Sequence, residues 1–164
     1  MSVAPRPISL PEFSLRVAAR PAKGDWFVLA TPLHQLVETM EALAADVEAF
    51  RQEVPKVTST VDNARDLVRA IRASTDGVAL VGGLEDFSEV EWRSVDLMRS
   101  RLEGARTVVL LVSPRQLDLL AASAPNLASW LAGGTWRLDE DVERLSETGR
   151  ADMFGDVADV DRDV

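Results

Sequence analysis

Apolar positions along the chain fall into two kinds of run. Short continuous ones stand at Trp26-Phe-Val-Leu-Ala30, Val78-Ala-Leu-Val81 and Thr107-Val-Val-Leu-Leu-Val112. Runs of this length, rich in β-branched and aromatic residues, read as strands, and unbroken apolarity reads as burial on both faces. Between them the spacing changes to three and four. Leu33, Leu36, Val37, Met40, Leu43, Ala44, Val47 and Phe50 trace one stripe of a long amphipathic helix that stops before Pro55. Ala64, Leu67, Val68 and Ile71 trace another over 61–73, and Trp92, Val95, Met98 and Leu102 a third.

Local signals punctuate this pattern. Thr31-Pro32 reads as an N-cap with proline at the first helical position. Ser88 with Glu91 three residues on is a capping box, and Gly104 stands where a left-handed C-terminal cap is expected. Ser113 with Pro114 and Gln116 opens a further helix that ends before Pro125. Lys56–Thr60 reads as a short strand, and Thr135-Trp-Arg-Leu138 as the last one. Residues 1–13, broken by Pro5, Pro7 and Pro11, read as extended, with Phe13 to Val17 as an edge strand. The repeated β-α order with short connections predicts a three-layer α/β domain over 14–138. Its core is a mainly parallel, five-stranded sheet with helices on both faces.

Charge divides the chain unevenly. Of a net −9, residues 139–164 hold ten acids and three bases, whereas residues 1–138 hold 17 acids and 15 bases. A near-neutral body with an acidic tail offers no basic face for phosphate backbones, so nucleic acid is not an expected partner. Anionic membranes would repel the tail, and no stretch approaches the ~18 apolar residues of a membrane span. The first residues carry no apolar signal-peptide core. Absent cysteines exclude disulfides, thiolate catalysis and cysteine-ligated metal. The expectation is a cytoplasmic protein without a cofactor or resident metal, its oligomeric state open.

Asp76-Gly-Val-Ala-Leu-Val-Gly-Gly-Leu-Glu-Asp86 resembles the region around the Walker B strand of bacterial P-loop ATPases of the STAND and AAA kinds. Trp92 with 96–102 resembles their following helix, and Thr107 to Ser113 the next strand, where a sensor residue commonly ends. Ala124 to Trp130 with Gly133-Gly-Thr-Trp136 resembles a segment beyond it. The resemblance spans about 76–139 and implies a P-loop-like core. It departs from the family at both catalytic motifs. No Gly-Lys-Ser/Thr triplet occurs, and 26–30 leads to its helix through Thr31-Pro-Leu-His34. That connection cannot supply the amide nest, lysine and hydroxyl that hold phosphates and magnesium. Gly82-Gly83 stands where an aspartate should follow the Walker B strand. The resemblance therefore implies a degenerate relative without the family's ATPase activity.

In open parallel sheets ligands bind beyond the carboxyl ends of the strands, near a topological switch point. The residues expected there are Thr31, His34, Gly82, Gly83, Glu85, Asp86, Ser113 and Arg115. Glu85 and Asp86 could ligate magnesium or act as a base, or could simply favour the positive end of the next helix. His34, Ser113 and Asp86 are the types of a hydrolase triad, but Ser113 lacks a nucleophile elbow and suits a cap. The glycine pair admits an anion or only a tight turn. The four tryptophans read as packing anchors, whereas an exposed pair at Trp130 and Trp136 would mark a protein-binding patch. Met153, Val157, Val160 and Val164 recur at helical spacing among aspartates, a stripe suited to a partner's groove, although Gly149 and Gly155 favour a frayed tail. These features favour a non-catalytic protein-interaction or regulatory (adaptor) domain. The alternative is a small-molecule or nucleotide-binding enzyme built around Glu85 and Asp86.

Overall fold

The computed structural model describes residues 5–19, 25–74, 76–104 and 106–139. In chain order the elements are β1 (Arg6–Ile8), α1 (Leu10–Ala19), β2 (Trp26–Ala30), α2 (Leu36–Arg51), β3 (Lys56–Thr58), α3 (Ala64–Arg72), β4 (Val78–Val81), α4 (Glu89–Leu97), β5 (Thr107–Val112), α5 (Pro114–Ser123), α6 (Pro125–Leu131) and β6 (Thr135–Leu138). Single 3₁₀ turns stand at Leu33–Gln35, Arg99–Leu102 and Ala132–Gly134.

The strands form one sheet in the order β1-β6-β2-β5-β4-β3, every neighbouring pair parallel. Strands β2, β4 and β5 are buried at every residue, as their unbroken apolar runs predict. Alternation then sorts their side chains into two cores. Val28, Val81, Val108, Leu110 and Val112 pack under α3, α4, α5 and α6. Phe27, Leu29, Leu80, Val109 and Leu111 pack under α1 and α2. The connections β1→β2 and β2→β3 step one way along the sheet with their helices on the second face. The three returning steps put their helices on the first. Uniform crossover hand requires this division, and it makes three layers.

The sheet has six strands rather than five, and the difference lies at the N-terminus. Residues 6–8 pair with β6, Arg6 opposite Trp136 and Ile8 opposite Leu138. Pro7 is tolerated because an edge strand bonds on one side only. The edge strand expected at Phe13–Val17 is instead helix α1. Leu10, Phe13, Ser14 and Val17 are its buried positions, which is a helical period. The Ser9 hydroxyl accepts the Glu12 amide at 3.3 Å, and Pro11 falls in the first turn, where a missing N–H costs nothing. Phe13 meets Phe27 edge-on at 5.9 Å, fixing α1 to β2.

Several predicted caps change as well. Thr31 does not cap α2: Pro32 is extended, a 3₁₀ turn intervenes, and Thr31 is sealed at the end of β2 with its hydroxyl unpartnered. Ser88 accepts the Glu91 amide, but the Glu91 carboxylate reaches across to the Ala64 amide of α3 at 2.8 Å rather than closing its own box. Gly104 is not left-handed; positive φ among the described glycines belongs to Gly77 and Gly83. The helix expected to end before Pro125 is followed at once by a second, α6, with that proline in its first turn.

Candidate functional site

The strand ends that face α2 and α5 form the switch point. The chain leaves β2 toward the second face and leaves the adjacent β5 toward the first, so a crevice is expected between them. The chain's own polar groups fill it. The Thr31 amide donates to the Val112 carbonyl at 2.8 Å, prolonging the β2–β5 ladder. The Ser113 amide donates to a Glu85 carboxylate oxygen at 3.1 Å. The Ser113 hydroxyl accepts the Gln116 amide at 3.2 Å and so caps α5, as its position before Pro114 predicts.

Gln116 is the centre of this arrangement, and sequence reasoning saw in it only a helix-start signal. Its buried side-chain amide donates to the carbonyls of Glu85 and Phe87 at 2.9 and 3.0 Å. Its side-chain oxygen accepts the Trp92 indole N–H at 2.8 Å. One residue thereby ties α5 to the β4–α4 loop and to the most deeply buried tryptophan. The available signal was a polar residue at the helical spacing of the buried face that Leu120 and Ser123 complete.

The glycine pair has packing reasons. Gly83 has φ +72°, and a Cβ there would lie 2.3 Å from the Ser59 carbonyl oxygen. A Cβ at Gly82 would meet the Met40 methyl at 3.0 Å. At Gly83 the β3–α3 and β4–α4 loops approach so closely that only glycine fits, whereas at Gly82 the neighbour is the movable end of a methionine on α2. Glu85 is half-buried on the Ser113 amide, while Asp86, His34 and Arg115 are exposed. No group of three metal-ligating side chains stands together among the described residues.

The tryptophans divide. Trp26, Trp92 and Trp136 are buried. Trp136 lies in the core under α1, with the guanidinium carbons of Arg6 and Arg16 at 4.4 and 4.8 Å from its ring centre. Trp130 projects from α6 on the opposite side of the sheet, 41% exposed, its ring 5.1 Å from Trp26. The two predicted patch residues therefore share no surface. Met153, Val157, Val160 and Val164 lie outside the described residues.

A depression of about 360 Å³ opens on the helical layer, lined by Arg99, Glu103, Asn126, Ser129 and Trp130. Asp96 fixes two of these lining residues, Arg99 and Asn126. This buried carboxylate accepts the Leu127 amide at 2.7 Å and the Asn126 side-chain amide at 3.2 Å, capping α6 where no N-cap side chain exists. The backbone of the same residue holds Arg99, whose guanidinium donates to the Asp96 carbonyl at 2.8 Å and lies 3.7 Å from the carboxylate. Leu97, one turn from the depression, is 86% exposed, and Val90 two turns along the same face of α4 is 62% exposed.

Below the layer Arg106 is buried. Its guanidinium donates to the Ser74 carbonyl and, at 3.1 Å, to that of Leu102. Burial, and then Arg72 nearby, lower its pKa from the usual arginine value, yet the group stays charged. It pins α3 to the start of β5.

No family model and no curated protein matches the chain by sequence. Among solved structures it is similar to the P-loop NTPase domain of a sigma-54 transport activator from E. coli, at 12% identity and a TM-score of 0.49, over 79% of this chain and 92% of that one. No described helix is long and apolar enough to cross a membrane.

Proposed function

We propose that this chain is a non-catalytic protein-interaction or regulatory domain on a degenerate P-loop-like core. The closed crevice carries the reading. At the switch point, where an α/β sheet ordinarily receives its ligand, the amides of Thr31 and Ser113 and both ends of the Gln116 side chain are committed to protein partners. A phosphate entering there would have to displace the Glu85 carboxylate, a like charge, and break buried bonds costing ~1–3 kcal/mol each. The β2–α2 connection offers an extended proline in place of a nest of amides.

What the molecule presents outward suits a protein surface. An almost fully exposed leucine, a half-exposed tryptophan and an arginine held in place by a backbone carbonyl lie along α4, the 99–102 turn and α6. Aromatic and arginine side chains of this kind dominate binding energy in protein interfaces. The acidic segment beyond Asp139, with its apolar stripe, serves in this reading as a second docking element.

Capture from native lysate tests it, with the full chain beside a truncation ending at Leu138 and a Trp130→Ala variant. The expected result is one partner enriched by the full chain and reduced with either altered bait. Saturable nucleotide hydrolysis by the purified protein, abolished by Asp86→Ala, would overturn the reading in favour of an enzyme using Glu85 and Asp86.

A further inference from the structure

The sheet ends differently on its two sides. Along a strand each residue turns its N–H and C=O to one side, and successive residues alternate. At β1 the Ile8 carbonyl accepts the Asp139 amide at 3.0 Å, so Arg6 and Ile8 address β6 and Pro7 faces outward. Proline has no N–H to offer, which blunts that side against another strand. At β3 the Thr58 carbonyl accepts the Gly82 amide at 2.8 Å, so Lys56 and Thr58 address β4 and Val57 faces outward. Val57 presents both a donor and an acceptor there, and no strand lies beyond β3 among the described residues.

Apolar surface accompanies the open side. Val57 is 45% exposed, and its side chain shares the α2 face of the sheet with its register partner Leu80. Phe50 in the last turn of α2 and Val54 in the turn into β3 are more exposed still.

A single outward donor and acceptor selects its occupant. Two residues exchange both bonds only when paired antiparallel, and a second copy turned about a two-fold axis brings Val57 opposite Val57. Charge agrees with this register. Lys56, the one charge on the strand, comes opposite Thr58 rather than another lysine, toward the copy's 59–63 loop, whose one charge is Asp62. Residues 1–138 hold 17 acids and 15 bases, so body does not repel body at long range.

We propose that the chain forms a two-fold dimer through β3, its two six-stranded sheets joined edge to edge with Val57 of both copies on the axis. Helices α4 and α6 lie on the other face of the sheet and stay free, so this goes beyond the preceding reading and uses a different surface. A seam three residues long belongs with the interfaces below ~1,200 Å², for which association is weak.

Sedimentation equilibrium of the full chain is expected to show a reversible dimer forming between ~10 μM and ~1 mM. Val57→Pro withdraws the outward N–H of each copy without touching the ladder to β4. It should weaken association ~10- to 100-fold at an unchanged melting temperature. Should the proline disturb β3, Val57→Lys sets two cations together on the axis from an exposed position and should weaken association likewise. Disulfides read the register, because the chain has no cysteine of its own. Val57→Cys places two Cα atoms ~5.5 Å apart, within bridging distance, and should link the copies under mild oxidation. Val54→Cys stands three residues off the axis in each copy, ~20 Å from its mate, and should not link them. A monomer throughout the range, a dimer indifferent to both Val57 substitutions, or linkage through Val54→Cys as readily as through Val57→Cys would each overturn the proposal. No arm of the test involves another protein, so its failure leaves the capture from lysate untouched.

Discussion

At the scale of single residues, two positions answer to tight geometry. Gly83→Ala places a methyl 2.3 Å from the Ser59 carbonyl in a left-handed backbone. Strain and overpacking together should cost ~2–4 kcal/mol. The control is Gly133→Ala, where a Cβ meets nothing within 4 Å and the change should stay within ~0.5 kcal/mol. Urea titration of the pair checks both, and equal midpoints would refute the crowding. Gln116→Leu removes three buried bonds at once and leaves the Trp92 indole N–H and two carbonyls unpaired. A loss of ~3 kcal/mol or more is expected, with a changed Trp92 environment seen by near-ultraviolet circular dichroism. The sequence marked the glycine pair but left it between an anion seat and a turn. Only the approach of a loop 24 residues away decided for packing.

Among elements, the caps show how far local chemistry reaches. Ser113 does for α5 what its place before Pro114 predicts, and Ser113→Ala should cost about 1 kcal/mol. Helix α6 has no such local signal. It is capped by Asp96 from α4, 31 residues distant, and a spacing rule cannot see that. Asp96→Ala should cost more, ~2–3 kcal/mol, since it strands the buried Leu127 amide and removes the acceptor of the Asn126 side chain. Amide exchange at 125–131 should accelerate in that variant and not in Ser113→Ala; equal acceleration in both would show that α6 does not depend on Asp96. The misread of 13–17 has a similar origin. Phe13, Leu15 and Val17 alternate as a strand would, while Leu10, Phe13 and Val17 keep a helical period. The core under α1 selected the second pattern, leaving Leu15 outside.

For the whole molecule, sheet order sets the stability gradient. Strands β2 and β5 lie centrally with both faces covered, whereas β1 and β3 are three-residue edges. Hydrogen exchange should be slowest at 27–29 and 108–111 and fastest at the edges. Comparable protection throughout would contradict that order. The closed crevice adds a ligand prediction: nucleotides with magnesium should leave the melting temperature unmoved, although a ligand at ~100 times its Kd would stabilise by ~2.7 kcal/mol. A saturable rise would reopen the strand ends as a binding site.

The amino-acid sequence by itself determined the α/β class, the three buried strands and most helix stripes. These follow from burial period, and burial period is a local property of the chain. It also determined the missing phosphate loop and the uneven charge. Tertiary structure alone decided the sixth strand, the crossover faces, the closure of the crevice by Glu85 and Gln116, and the opposite fates of Trp130 and Trp136. Each of those depends on which distant segment comes to lie alongside, and two residues with the same local pattern can face a core or a solvent accordingly.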